Sequence, residues 1–230
     1  MVSPHWIRYH HIFLESTITS RRPYHSPRRQ EQARLTRRAI LDAALPLFVQ
    51  HGYAGTSLGD IAQAAGVALR TVEATFGTKA KLLVALRDVT IAGDDEAIAV
   101  ADRAGYQEML AEPDPRRQLE LHARVSCQIK RRTAPLIEVI RRAAQFDPEI
   151  GDLWRVFQEQ YLTDQRIVAE SLAAKGALRE PLTAADAAEI IAMPNHPSVY
   201  YFAVIERRWP EERFERWLAD AFIHQLLTGQ

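Results

Sequence analysis

This chain has little cysteine and glycine, no long apolar run and no net charge, and each shortage excludes something. The single cysteine, Cys127, cannot close a disulfide within the chain, so a reducing, cytosolic setting is the simplest reading. No run approaches the roughly eighteen apolar residues a membrane span needs. Near the start, Trp6, Ile7, Ile12, Phe13 and Leu14 are interrupted by Arg8 and histidines. A basic beginning and a small-residue cleavage site are both missing there, so no secretion signal is expected. With only 10 glycines in 230 residues, there is no glycine-rich loop to cradle phosphate. No two of the 8 histidines stand at i, i+4, so no metal site is predicted. Cys127 stands in no nucleophile motif. The reading therefore holds no catalytic residue, no cofactor and no enzyme. Period-two alternation is also missing, which argues against a sheet.

What is present is a helical globular chain. Apolar residues make up 47% and charged residues 25%, the balance of a soluble protein with a sizeable core, in one or two domains. The zero net charge hides an asymmetry. Residues 1–80 carry 10 Lys and Arg against 5 Asp and Glu, and residues 81–230 carry 19 against 24. Seven arginines fall between Arg21 and Arg38. A basic first third suits a polyanion, although a solvated basic tail has the same composition. Residues 1–30, with Pro4, Pro23 and Pro27 and no apolar period, are read as a disordered or loosely ordered extension.

From about Thr36, Ile40, Ala44, Leu47 and Phe48 form one helical stripe. Pro46 within it costs about 3 kcal/mol unless the helix bends, and His51-Gly52 closes it. Thr56 or Ser57 caps a second helix from Leu58 to Ala65. Gly66 makes a turn and Val67 plugs it. A third, short helix from about Leu69 to Phe76 buries Val72 and Phe76, leaving Arg70, Thr71, Ala74 and Thr75 facing out. Thr78 caps a fourth helix. Later, Asp114-Pro115 and Asp147-Pro148 are cap-and-proline starts. Thr133 and Pro135 are read as opening a helix of their own. Asp147-Pro148 is read as starting the longest helix, which ends near Lys175-Gly176. Thr183 to Asp186 is a capping box, and Pro210 opens the last helix.

The capped helix, Gly-Val turn and short polar-faced helix are what a helix-turn-helix needs to lay side chains in the major groove. From Arg34 to Leu86 the chain resembles the TetR/AcrR family of bacterial transcriptional regulators. The likeness rests on Ile40-Leu-x-Ala-Ala-x-x-Leu-Phe48, Gly52-Tyr53, Thr56-Ser57, Asp60-Ile61-Ala62, Ala65-Gly66-Val67, Thr71-Val72, Phe76-Gly77-Thr78-Lys79 and Leu82-Leu83. It implies an all-α homodimer with an N-terminal DNA-binding domain and a helical effector-binding and dimerisation domain. In this family a Ser or Thr usually caps the recognition helix and aromatic groups touch the DNA backbone, where this chain has Ala68, Glu73 and Thr75.

The expected organisation is an extension at 1–30, a DNA-binding domain at 31–80 with its helix-turn-helix at about 57–76, and an effector and dimerisation domain at 81–230. Arg70, Thr71 and Thr75, with Ala74 beside them, are the candidate base contacts. Arg34, Arg38, Thr56, Ser57 and Lys79 are the candidates for holding phosphates. The resemblance puts the effector pocket among the central helices, making His122, Cys127, Trp154, Phe157 and Tyr161 candidate ligand contacts. Phe214, Trp217, Leu218, Ala221 and Phe222 are the candidate dimer contacts. The partners expected are double-stranded DNA, a small apolar or aromatic effector and a second copy, with no membrane. The chain reads as a ligand-responsive regulator of the repressing kind; the alternative is a helical ligand-binding or protein-interaction module with weak DNA binding.

Overall fold

The computed structural model describes residues 27–93 and 103–228. Most of the arginine-rich extension and the acidic connector after Gly93 lie outside them. The chain divides into two compact units, residues 1–35 and 36–230. In the first, helix α1 (Pro27–His51) begins, so its start precedes the expected Thr36. Arg34 there pairs with Glu31 one turn back at 2.8 Å.

In the second unit α1 continues through Pro46 to His51. Helix α2 (Leu58–Ala64) is capped by Ser57 rather than Thr56. The Ser57 hydroxyl accepts from the Asp60 amide, and the Asp60 carboxylate accepts from the Ser57 amide. This reciprocal box satisfies two otherwise orphaned N–H groups, and it holds the Asp60 carboxyl below its ordinary value. Gly66 turns the chain at φ 66°, in the left-handed region where a side chain is strained. The Val67 amide then donates to the Ala62 carbonyl at 3.0 Å. Helix α3 (Leu69–Phe76) has no side-chain cap at Ala68. Helix α4 (Lys79–Ala92) is capped by Thr78 and ends at Gly93.

Helix α5 (Ala104–Ala111) leads into α6 (Pro115–Ala143) and α7 (Pro148–Ala174). The boundary expected at Thr133 and Pro135 does not exist. α6 runs unbroken through Pro135, and its 29 residues exceed the 27 of α7. Buried Ala134, Leu136 and Ile137 flank the proline, and their packing offsets its lost hydrogen bond. Helix α8 (Ala184–Asn195) has the expected capping box of Thr183 and Asp186. A short α9 (Pro197–Tyr200), a π-helical turn (Tyr201–Glu206) and α10 (Glu211–Leu226) complete the chain. Among the described residues the only β pairing is an isolated bridge between Leu178 and Leu227.

Two apolar clusters form the core. One joins Ile40, Phe48, Ile61, Val72, Phe76, Leu82 and Leu83 to Leu136, Ile137 and Ile140 of α6 and Ile150 of α7. The other gathers α5, the first half of α6, later α7, α8 and α10 around Leu119, Val168, Leu172, Ile191, Phe214 and Phe222. The first cluster fixes α3 by its inward pair Val72 and Phe76, turning its opposite face to solvent.

Candidate nucleic-acid interface and effector core

On the outer face of α3, Arg70, Glu73, Ala74 and Thr75 are exposed and Thr71 is half-buried. The Thr75 hydroxyl donates to the Thr71 carbonyl at 2.7 Å, so only its lone pairs remain for an outside partner. Glu73 shares this face. Behind it, the Arg37 guanidinium lies 4.8 Å from the Phe76 ring centre, a contact between α1 and α3 that helical periodicity alone did not single out. Arg38 pairs with Asp42 one turn on at 2.9 Å.

Of the expected phosphate contacts, Thr56 is corrected, and Lys79 has partners within the chain. Thr56 is only 1% exposed, and its hydroxyl donates to the carbonyls of Leu47 and Gly52. It fastens the end of α1 and cannot reach DNA. Lys79 donates to the carbonyls of Tyr53 and Thr56 at 2.7 and 2.9 Å and sits 4.2 Å from the Tyr53 ring centre. Burial lowers its pKa. It clamps the start of α4 to the loop before α2, although the residue remains half-buried rather than enclosed. Ser57 is exposed, but its hydroxyl is engaged in the capping box.

The other end of α4 is held as well. Arg132 of α6 donates to the Thr90 and Ile91 carbonyls, both at 2.9 Å. These belong to the last turn of α4, whose carbonyls lack helical partners.

The five candidate effector contacts fall into two groups. His122 and Cys127 are buried in the second cluster, with His122 stacked on Phe222 at 5.3 Å. Burial pushes the Cys127 thiol up to about 12, the reverse of what a nucleophile needs. Trp154 and Phe157 pack on the first cluster instead. Trp154, Phe157 and Tyr161 stack in file along α7, and His196 meets both Trp154 and Tyr161 edge-on. The Tyr161 hydroxyl donates to the Ala192 carbonyl at 2.9 Å.

Sequence reasoning missed a buried polar chain. Lys130 of α6 donates to Asn195 Oδ1 at the end of α8 and, at 3.4 Å, to the Ser126 carbonyl. Asn195 Nδ2 donates to Gln165 Oε1 of α7 at 2.9 Å and lies 3.5 Å from His122 Nε2. The signal was available: Lys130 follows His122 and Ser126 at four-residue steps on the inward face of α6.

The dimer candidates also need correction. Phe214, Leu218 and Phe222 are all 0% exposed, filling the core of their own chain. An amphipathic stripe alone does not distinguish the two destinations. Of the set, Trp217 remains at the surface and Ala221 is half-buried. Met193, Phe202 and Ile205, which were not anticipated, are exposed on α8 and the π turn. Among the described residues no group of three His, Cys, Asp or Glu side chains could hold a metal, and no helix is long and apolar enough to cross a membrane.

A capped helix, a glycine turn and a short helix with a polar outer face, followed by a larger helical core, define a helix-turn-helix DNA-binding regulator. Residues 40–86 match the family described as bacterial regulatory proteins, tetR family. The HTH-type transcriptional repressor ComR of Escherichia coli (strain K12) is 28% identical over 147 residues, 63% of this chain and 67% of ComR. The HTH-type transcriptional regulator AcrR of Shigella flexneri is 31% identical over 134 residues, 57% of this chain and 58% of AcrR. The crystal structure of FadR from Bacillus subtilis, in complex with stearoyl-CoA, superimposes with a TM-score of 0.66 at 17% identity, covering 82% of this chain and 98% of FadR. At that identity the likeness is one of fold. Over the matched residues the chain is similar to the TetR family of transcriptional regulators. Its named relatives are a transcriptional repressor and a transcriptional regulator.

Proposed function

We propose that this chain is a cytoplasmic, homodimeric repressor that leaves a palindromic operator when a small, largely apolar effector binds. The observation that carries the reading is the double tethering of α4. Lys79 ties its first residue to the reading head, and Arg132 grips its last turn from α6. A shift of α6 therefore pulls on an element that begins two residues after the recognition helix ends. An effector acts through this lever only as far as it binds the two arrangements unequally.

In this reading residues 31–80 read DNA, with the helix-turn-helix at about 57–76, and 81–230 bind the effector and the second copy. Arg70, Thr71 and Thr75 address base edges, with the Ala74 methyl suited to a thymine methyl. Arg34, Arg38 and Ser57 lie along the phosphates. Trp217 and Ala221, joined by Met193, Phe202 and Ile205, supply the dimer contact, since large exposed apolar groups mark association surfaces. A two-fold dimer calls for a two-fold operator. The aromatic file of Trp154, Phe157 and Tyr161 suits an apolar effector.

Gel retardation of the DNA upstream of the gene tests the reading. Purified dimer retards a specific fragment at low salt, and Arg70→Ala costs about 1–3 kcal/mol of discrimination. No retardation by any upstream fragment at low salt refutes it. One observation favours a second reading, a helical effector-binding module with weak DNA affinity: the exposed Glu73 carboxylate on the outer face of α3. Glu73→Gln strengthens DNA binding strongly if that reading holds, and leaves it unchanged or weaker if Glu73 belongs to a working interface.

A further inference from the structure

The buried polar chain within the second cluster narrows the effector's chemistry. Lys130 is 4% exposed. Its ammonium has three hydrogens to place, and its acceptors are two neutral groups, one of them at 3.4 Å. Among the described residues no carboxylate pairs with it. The buried carboxylate of the same helix, Glu138, is already held by Arg141 and Arg142, each at 2.7 Å. A cation taken from water without a counter-ion is among the costliest things a core can hold, so Lys130 sheds its proton readily and an anion beside it would restore it. A leucine or methionine at this site would avoid that cost.

His122 adds a second unmet polar atom. Burial holds its ring neutral, at about 3, so one nitrogen carries a hydrogen and the other does not. Its Nε2 faces the Asn195 amide at 3.5 Å, and its Nδ1 is buried and has no partner. The His122 ring stacks on Phe222, a member of the apolar cluster that also holds Leu119, Ala123 and Cys127 of α6, Val168 of α7 and Ile191 of α8.

Resting on the regulator reading above, we infer that the effector is an organic carboxylate with an apolar body, whose anionic group displaces the Asn195 amide oxygen from Lys130 and selects the His122 tautomer that donates from Nδ1. A carboxylate brings two oxygens, which answers the Lys130 donor, the unpartnered Nδ1 and the missing charge together. Alcohols of the same shape answer neither demand, and quaternary ammonium compounds are repelled. The displaced Asn195 ends α8 between Pro194 and Pro197, where the chain breaks helix. Lys130 lies two residues before Arg132, so the ligand's charge is neutralised next to the grip on α4.

The test uses the full-length dimer, with decanoate and 4-phenylbutyrate against 1-decanol and 4-phenylbutan-1-ol, read by calorimetry and thermal shift. The carboxylates should bind at least ten-fold more tightly than the matched alcohols. Lys130→Met should abolish that preference while circular dichroism and DNA retardation stay unchanged. Lys130→Gln serves the same purpose should the methionine variant fail to fold. Alcohols binding as tightly as the acids, a Lys130→Met protein that keeps the preference, or no binding of either carboxylate to the parent protein overturns the inference. The two readings fail separately. DNA retardation without carboxylate binding sinks only this inference, and carboxylate binding through Lys130 without DNA retardation sinks only the repressor.

Discussion

Removing the Lys79 ammonium by Lys79→Met keeps most of the aliphatic stem and deletes a defined set of contacts. Two charge-assisted hydrogen bonds, to the carbonyls of Tyr53 and Thr56, are lost. At about 1.5 kcal/mol each at the lower end for charged donors they come to about 3 kcal/mol. The contact with the Tyr53 ring at 4.2 Å adds about 0.5–1 kcal/mol. Against these stand the freedom regained by a released lysine, about 1–2 kcal/mol, and relief of a cation at the first position of α4, about 0.5 kcal/mol at the positive end of the helix dipole. The net loss is about 2 kcal/mol, or several degrees in Tm for a unit of this size. Urea denaturation followed by circular dichroism measures it. A double-mutant cycle with Tyr53→Leu isolates the ring contact, which should couple by about 0.5–1 kcal/mol. A loss below about 0.5 kcal/mol for Lys79→Met would show that water replaces the ammonium without penalty and that the start of α4 is not clamped to the head.

Three further outcomes follow from the same reasoning. Ala68→Ser supplies the missing cap of α3 and should raise stability by about 1 kcal/mol in denaturant titration; an unchanged midpoint would mean the first turn is satisfied some other way. Lys130 is drawn down to about 7 by burial, from an ordinary 10.5. Between those values the unfolded chain holds a proton the fold has lost, so stability rises with pH from about 7 towards 10.5, by at most about 1.4 kcal/mol per pH unit. Above about 9 the unfolded Cys127 thiol ionises while the buried one does not, which opposes this rise, so Lys130→Met should flatten the slope between about 7 and 9 in urea titrations at successive pH values; parallel slopes would contradict it. The Cys127 thiol, buried and raised to about 12, should resist iodoacetamide at pH 8 in the native protein and react once unfolded, as mass spectrometry reports; rapid native labelling would contradict its burial.

The reading head was legible because its signals are local. Ser57 with Asp60, Gly66, and the pair Val72 and Phe76 all act within one or two turns, where residue spacing is a direct guide to geometry. Failures came where distant parts of the chain decide. Pro135 looked like a helix start because the packing that keeps α6 whole cannot be read from its neighbours. Phe214, Leu218 and Phe222 looked like an interface because an apolar stripe has the same period whichever surface it meets. Thr56 looked like a phosphate contact because a hydroxyl donates to oxygen, and the fold gives it the carbonyls of Leu47 and Gly52 at the end of α1. The link between Lys130 and Asn195 spans 65 positions, beyond any local pattern.

The first apolar cluster bears on how the protein could be divided. Leu82, Leu83 and Leu86 of α4 share it with Leu136, Ile137 and Ile140 of α6 and Ile150 of α7. A chain ending at Gly93 would keep every residue of the helix-turn-helix yet leave the inner face of α4 without its cover. Such a fragment should aggregate or melt well below the intact protein. In the intact protein, the reading head and the segments of α6 and α7 that roof it should unfold in one transition.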